Sequence, residues 1–444
     1  MLAISTVSAA LMLTPVAIDI TEFGASPEPG DDTKAIQAAF DKAKATPGSI
    51  VRIPAGTFEA NQVTMWANTT LEGVGPASVI RTVAGAYGGM ITVNPVTTPD
   101  AKTRLAEKNV VIRNLTVRGN CDTEGFKEHT DLIRFFGVED ALVSKVRFIG
   151  FKGDGLYIGD GVADKGVIRH NRNVVVEDCE FDGINKKNRN GITLGDGENV
   201  TIRRNKFTRV TDVRMPGCID IEQNKNDYHI AVNIQVLDNE FFDNGGTAIM
   251  MDVAKPQREL KVPVKNILVK GNRIRKQQRR GIMLNQFSEF DPKAAQAGAR
   301  IEDNEISEVP IPIAIEGVQG VSITGNKITN TDRGMLIGFG KIGRGTQNIT
   351  IKRNTFDGVG FDPTMGGAAL VILNALHVTF EENTIRNLKG KQNALVLFVG
   401  ASGGSRAGYI TARNNTVDDK NLTPYRTRSV VDLAVDTLNI RAND

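Results

Sequence analysis

The sequence predicts an all-β solenoid, a parallel β-helix of about ten to twelve coils with an N-terminal capping α-helix. Three observations carry that expectation. A nine-residue phrase returns eleven times, its apolar positions alternate, and its seventh position is Asn in eight copies.

The phrase begins with Asn or another polar residue, continues apolar, any, apolar, two polar residues, Asn, any, and ends apolar. Its clearest copies start at Asn199, Asn233, Asn266, Asn348 and His377, and degenerate copies start at Asn109, Asp140, Asn173, Gly298, Gly320 and Tyr409. Successive starts lie 22 residues apart at the shortest (298 to 320) and 34 at the longest (199 to 233), one unit per coil. Within a copy, Val200, Ile202 and Phe207 repeat with the period of a short strand that has one buried face, which disfavours helical repeats. The eight asparagines are Asn205, Asn239, Asn272, Asn304, Asn326, Asn354, Asn383 and Asn415. Stacked about 4.8 Å apart, their amides can hydrogen-bond from coil to coil as a ladder. Leu115, Val146 and Cys179 hold that position in the first three copies, so the ladder is expected to begin at the fourth.

A chain of 444 residues is long for one core, but a solenoid adds core coil by coil. The expected organisation is a signal-like segment at 1–17, an N-terminal strand and capping helix at 18–60, the β-helix at 61–420 and a C-terminal cap segment at 421–444. Residues 2–17 are apolar and of signal-peptide length, yet the first basic residue is Lys34, so a first strand is the competing reading. Cleavage there would mean export. The stretch is too short to span a membrane. A net charge of +3 with acids and bases interspersed carries no nucleic-acid footprint. Cys121, Cys179 and Cys218 are too scattered for a disulfide framework or zinc site and read as small buried residues.

Residues 18–58 carry a resemblance. Ile20-Thr-Glu-Phe-Gly-Ala25, Asp31-Asp32-Thr33, Ala35-Ile-Gln-Ala-Ala-Phe40 and Val51-Arg-Ile-Pro-Ala-Gly-Thr-Phe58 together resemble the N-terminal segment of the pectate lyase superfamily, the single-stranded right-handed parallel β-helix proteins. The resemblance implies a helix that plugs the end of the stack. The residues read the same way: Asp31 or Asp32 is a suitable N-cap, Ile36, Phe40 and Ala43 form one apolar stripe, and Pro47-Gly48 ends the helix. The superfamily includes lyases, glycosidases, epimerases, tailspikes and adhesins, most acting on polysaccharide, so it implies a glycan ligand without naming the chemistry. The motif sets of polygalacturonases and alginate epimerases are missing, and no catalytic residue is carried over.

The candidate site comes from a second column of short strands between the phrases, beginning at Leu156, Ile192, Ile219, Ile249, Ile282 and Ile313. Their first and third residues are apolar, so the second and fourth are expected to face outward. One outward row then reads Tyr157, Thr193, Asp220, Met250, Met283, Ala314, and the other Gly159, Gly195, Glu222, Asp252, Asn285, Glu316. Asp220, Glu222 and Asp252 fall closest together and are the catalytic candidates, since paired carboxyls at roughly 5 to 9.5 Å suit glycoside hydrolysis. Tyr157, Arg189, Arg280, Asn285 and Glu316 are the expected substrate-binding residues, with Arg333 in an equivalent turn. No cofactor is expected; calcium on Asp220, Glu222 and Asp252 is the metal alternative. The plain alternative is that these acids are simply solvated. Asp160 and Asp196 read as turn formers, and His129, His170, His229 and His377 lack metal spacing. Phe126, Phe287 and Phe290, in stretches that interrupt the repeat, are candidate walls of a sugar groove.

Towards the C-terminus the outer row turns apolar at Val371, Leu373, Leu395 and Leu397. Such a strip needs a cover, either the segment Ser429 to Ile440 or another chain of a homotrimer, so the protein is read as monomer or homotrimer. The sequence therefore points to a secreted or virion-surface protein that acts on polysaccharide. Hydrolysis by the carboxylate cluster stands first, β-elimination on a uronate second, and a non-catalytic adhesin or tailspike module third.

Overall fold

Each coil turns on residues in the left-handed backbone region. The first residue of all eleven phrases has φ between 53° and 72°, and the sixth residue, from Asn114 to Asn414, lies between 53° and 71°. Asn, Asp and Gly tolerate that conformation best, which explains why they recur at these two places. Between the corners the chain is extended: Gly197–Arg203, then Lys206–Thr208, then Gly217–Glu222 make one coil, and Ala231–Leu237, Glu240–Asn244 and Thr247–Asp252 the next. The computed structural model describes residues 15–95, 107–159, 168–223, 229–252, 264–285, 296–338, 346–360, 367–390, 393–400, 406–418, 422–428 and 432–441. Residues 1–14 of the signal-like segment, Asp160, and the interrupting stretches with Phe287 and Phe290 lie outside these.

All strand pairings are parallel, in two sheets that run the length of the stack. The register is the one the phrase predicts: Val174 pairs with Val200, Val200 with Ile234, Ile234 with Ile267, Ile349 with Val378 and Val378 with Ile410. The Asn ladder is present in full. From Asn205 to Asn383 each side-chain amide donates to the Oδ1 of the next asparagine at 2.9–3.1 Å, and the same Oδ1 also accepts the backbone N–H of the preceding asparagine. The first rung reaches back to Cys179, whose backbone N–H donates to Asn205 at 2.9 Å. Inside the coils, Phe148, Phe181, Phe207 and Phe241 stack with ring centroids 4.5–4.8 Å apart.

The helix Thr33–Ala45 buries Ile36, Ala39, Phe40 and Ala43. Its two aspartates divide their work. Asp31 accepts the Thr33 N–H at 3.0 Å, and its hydrogen bonds to Thr33 hold its carboxyl below the ordinary value. Asp32, at the N-cap position, instead ties the backbone of Ser26 and Glu59 at 2.9 and 3.0 Å. At the other end, the expected cover for the apolar strip is corrected. Leu438–Ile440 pairs with Ile410–Ala412 and extends the first sheet, while Leu433, Leu438 and Ile440 pack on the main core. Val371, Leu373 and Leu397 are nonetheless buried within one chain, with Met250, Met283, Ala314 and Leu336, so the strip does not need a trimer to shield it. Leu395 belongs to the main core and not to that strip.

Asn272→Ala removes one rung and strands the Asn239 N–H and the Val236 carbonyl in the interior. It is expected to lower stability by roughly 2–4 kcal/mol by urea denaturation, whereas Asn266→Gly on the exposed corner ladder, which keeps the left-handed backbone, should cost under about 1 kcal/mol.

Candidate active site

The second sheet aligns the predicted rows residue for residue. Tyr157 pairs with Thr193, Thr193 with Asp220 and Asp220 with Met250; Glu222 pairs with Asp252, Asp252 with Asn285 and Asn285 with Glu316. The expectation that these rows meet water is corrected. Asp220 is fully buried, and Glu222, Asp252, Asn285 and Glu316 are all less than a tenth exposed. Alternation assigns a side chain to the outer face of a strand, but it does not reveal whether that face is covered.

Burying acids demands compensation, and Arg189 supplies it. Its backbone N–H bonds the Gly153 carbonyl at the corner that leads into Ile192–Leu194. From there one guanidinium nitrogen bonds Asp154 at 2.9 Å and Thr193 at 3.0 Å, and the other bonds Glu222 at 3.1 Å and lies 3.9 Å from Asp220. Burial alone would depress this arginine, but Asp154, Asp220 and Glu222 together raise it above its ordinary value. Asn190 finishes the cradle, donating to Thr193 at 2.9 Å and to Asp220 at 3.1 Å. The other oxygen of Asp220 has no hydrogen-bond partner. Burial, then the Glu222 charge, raise the Asp220 carboxyl well above the carboxylate range against the pull of Arg189.

Beside this cradle a cavity of about 240 Å³ opens, lined by His129, Asp131, Arg134, Phe136, Asp154, Tyr157 and Arg189. Two carboxyls share it in different environments. Asp131 is ion-paired with Arg134 at 2.7 Å and accepts the Asp154 backbone N–H at 2.8 Å. Asp154 is pushed up to about 7, chiefly by burial and further by the Asp131 charge, with Arg189 opposing. A carboxylic acid that holds its proton near neutrality, beside an ion-paired carboxylate, is the arrangement of an acid and its charged partner.

Tyr157 and Arg189 thus line the cavity, and Arg189 is an internal counter-ion with little capacity left for an acidic sugar. Asp220 and Glu222 sit one layer behind it, bound to Arg189. Asp252 and Asn285 form a separate pair at 3.1 Å further along the stack. Glu316 follows them, near Arg280, which burial and the charges of Arg279 and Arg333 hold below the ordinary arginine value. Among the described residues no cluster has the geometry to hold a metal, so the calcium alternative draws no support from Asp220, Glu222 and Asp252. Asp196 ties its turn to the coils on either side, accepting the Ile230 N–H at 2.9 Å and facing His170 Nδ1 at 2.8 Å.

Reading only the strands from Leu156 onward misses Arg134, in the strand Ile133–Phe136, and Asp131 and Asp154, which precede their strands. The available signal is the triplet Gly153-Asp154-Gly155 just before the strand. A Cβ on Gly153 would come within 2.5 Å of Asp131 Oδ1, and one on Gly155 within 2.7 Å of the Gly191 carbonyl. A further glycine shapes the cavity wall: a Cβ on Gly159 would lie 2.1 Å from the Tyr157 ring, whereas one on Gly195 meets nothing closer than 3.6 Å. Gly159→Ala is therefore expected to displace Tyr157 and cost about 1–3 kcal/mol in thermal denaturation. Gly195→Ala should melt within about 0.5 kcal/mol of the wild type.

Comparison with known proteins bears on this geometry. Residues 260–424 match the model described as "Right handed beta helix region". Comparison with curated proteins finds no match. Among solved structures, a family 28 exopolygalacturonase of Yersinia enterocolitica aligns at 14% identity and TM-score 0.56, over 95% of this chain and 78% of that one. The catalytic unit of a GH87 α-1,3-glucanase of Streptomyces thermodiastaticus aligns at 16% and 0.55, over 94% and 71%. PfbA, a surface adhesin of Streptococcus pneumoniae, aligns at 15% and 0.55, over 92% and 91%. At such identities the likeness is one of fold. Residues 17–249 match the model "Rhamnogalacturonase A/epimerase, pectate lyase-like". That stretch contains the cavity, the Arg189 cradle and more than half of the 444 residues, and the chain belongs to this pectate lyase-like family of right-handed parallel β-helices.

Proposed function

We propose that the protein hydrolyses a polysaccharide by general acid catalysis in the cavity formed by Asp131, Asp154 and Tyr157, outside the cell or at a virion surface. The observation that carries the reading is Asp154, a buried carboxyl raised to about 7 that lines an open cavity beside an ion-paired carboxylate. Protonated Asp154 donates to the glycosidic oxygen as the bond to the anomeric carbon breaks, Asp131 supplies the negative charge that the oxocarbenium-like transition state needs, and a water adds to the anomeric carbon and returns its proton to the Asp154 carboxylate. Tyr157, packed edge-on to Phe136 with centroids 6.0 Å apart, forms an aromatic wall for a sugar ring. Asp220 and Glu222 act through Arg189: by sharing its charge they limit how far it can lower Asp154. Asp252 adds to the same negative field.

A second reading, β-elimination, is favoured by the phenol of Tyr157 and the guanidinium of Arg189 facing one cavity. The third, a binding module without chemistry, draws on the fold shared with the adhesin. One assay separates them. Acidic and neutral polysaccharides are incubated with the protein while reducing ends and ultraviolet absorbance are read together. Hydrolysis yields reducing ends without absorbance, elimination yields both, and a binding module leaves the polymer intact.

Asp154→Asn is expected to lose activity at least about a hundredfold, in line with loss of a general acid. Because Asp154 must be protonated to act, wild-type kcat/KM should fall as pH rises through about 7. Activity that survives both Asp154→Asn and Asp131→Asn would sink this assignment.

Glu222→Gln gives a separate readout. Removing that charge releases Arg189 towards Asp154, so the alkaline limb of the pH profile is expected to move to lower pH, with a smaller loss of kcat than in Asp154→Asn. An unmoved limb would show that the Arg189 cradle is structural only.

A further inference from the structure

A second cavity is larger than the one above. It measures about 480 Å³ and lies on the outer side of the first sheet near the C-terminal end, lined by Asn348, Thr350, His377, Thr379, Tyr409, Thr411 and Thr437. Thr350, Thr379 and Thr411 occupy one outward row in register on successive coils. Its lining contains no Asp, Glu, Lys or Arg, on a chain of which 24% is charged. A floor of hydroxyls and amides without formal charge suits a neutral, polyhydroxylated ligand and offers nothing to a phosphate or a uronate.

An independent observation singles out the same place. The first residue of each phrase sits in the left-handed region, and Asn, Asp or Gly occupies it in every copy except two. Those two are His377, with φ of 55°, and Tyr409, with φ of 56°. Histidine is among the side chains enriched in that conformation, but a tyrosine there is an outlier, and such departures concentrate where a side chain is needed for something other than the fold. Both exceptions fall on neighbouring coils, stack with ring centroids 4.5 Å apart at 10°, and line the cavity. Tyr409 is 53% exposed. The corner that elsewhere carries a hydrogen-bonding amide here carries an aromatic platform beside a row of hydroxyls.

We propose that this groove is a second carbohydrate site, which holds neutral pyranose units of a glycan by stacking one ring on Tyr409 and bonding its hydroxyls to Thr350, Thr379 and Thr411. Its partner class follows from the glycan-directed reading of the protein, but its residues share none of the Asp154 machinery and the site has no chemistry of its own. Lying on the other sheet, it gives a cleaving enzyme a hold on polymer away from the reacting bond.

The test uses the full chain in gels containing dextran, galactomannan or arabinoxylan, with polygalacturonate as the acidic comparison. Tyr409→Asn installs the residue that the repeat prefers at this corner, so the fold is expected to hold. Thr379→Val removes one hydroxyl at equal size. Wild type should be retarded by at least one neutral polymer. Both variants should weaken that retardation, Tyr409→Asn by at least about tenfold in apparent affinity, while Asp154→Asn keeps it and Tyr409→Asn keeps wild-type turnover of short soluble oligosaccharides. Retardation that survives Tyr409→Asn, retardation by polygalacturonate alone, or none with any neutral polymer would overturn the proposal. Loss of retardation in Tyr409→Asn with no cleavage of any glycan would instead sustain this site and remove the hydrolase reading.

Discussion

The structure depends on coils stacking in strict register, and the left-handed corners make that possible. A residue in this conformation turns the chain sharply without leaving the strand plane, so each coil can return above the last with its hydrogen bonds intact. Such corners carry a backbone cost for any residue with a side chain other than Asn or Asp. The Asn ladder offsets it. Each asparagine accepts from the preceding rung's backbone and side chain and donates to the next, so a corner that would strand buried polar groups closes into a continuous network from Asn205 to Asn415. The aromatic stack from Phe148 to Phe241 fixes the same register from the apolar side.

Register then decides which side chains meet. One outward row of the second sheet runs Tyr157, Thr193, Asp220, Met250, Met283, Ala314, Leu336, Val371, Leu397. Its first part is polar and holds the Arg189 cradle, and from Met250 onward it forms a buried apolar cluster. A solenoid tolerates this change because each coil answers mainly to its neighbours. In this row an ionised group further along would lie among methionine and leucine, whereas the polar early coils bring Asp220 within 3.9 Å of Arg189.

Much of this was readable in the sequence. Coil spacing, strand register, the fourth-copy start of the ladder and the apolar stripe of the helix all follow from period-two alternation and one recurring Asn, because stacking identical units turns local pattern directly into three-dimensional neighbours. Both outward rows were readable for the same reason. Their burial was not, because alternation names a face and cannot say what covers it. Nor was Arg189's role as a counter-ion, which depends on a turn crossing back over two coils. Asp131 and Asp154 escaped because they precede their strands, at corners where the phrase has no period, and only the flanking glycines of Gly153-Asp154-Gly155 marked them.

The Arg189 cradle also explains why the catalytic candidates separate into layers. One guanidinium shared among Asp154, Glu222 and Asp220 cannot neutralise all three fully, so burial raises Asp154 despite its 2.9 Å bond to Arg189. Asp220, sealed and with one oxygen unpartnered, is raised well above the carboxylate range but does not line the cavity. Asp154 shares the same arginine, is raised to about 7, and faces the cavity. The carboxylates behind the cavity thus keep the one in front from becoming a simple ion pair with Arg189. Burial is the chief cause that raises Asp154, and the neighbouring carboxylates, a cluster of like charges that costs stability on a β-helix face, share the arginine that opposes it.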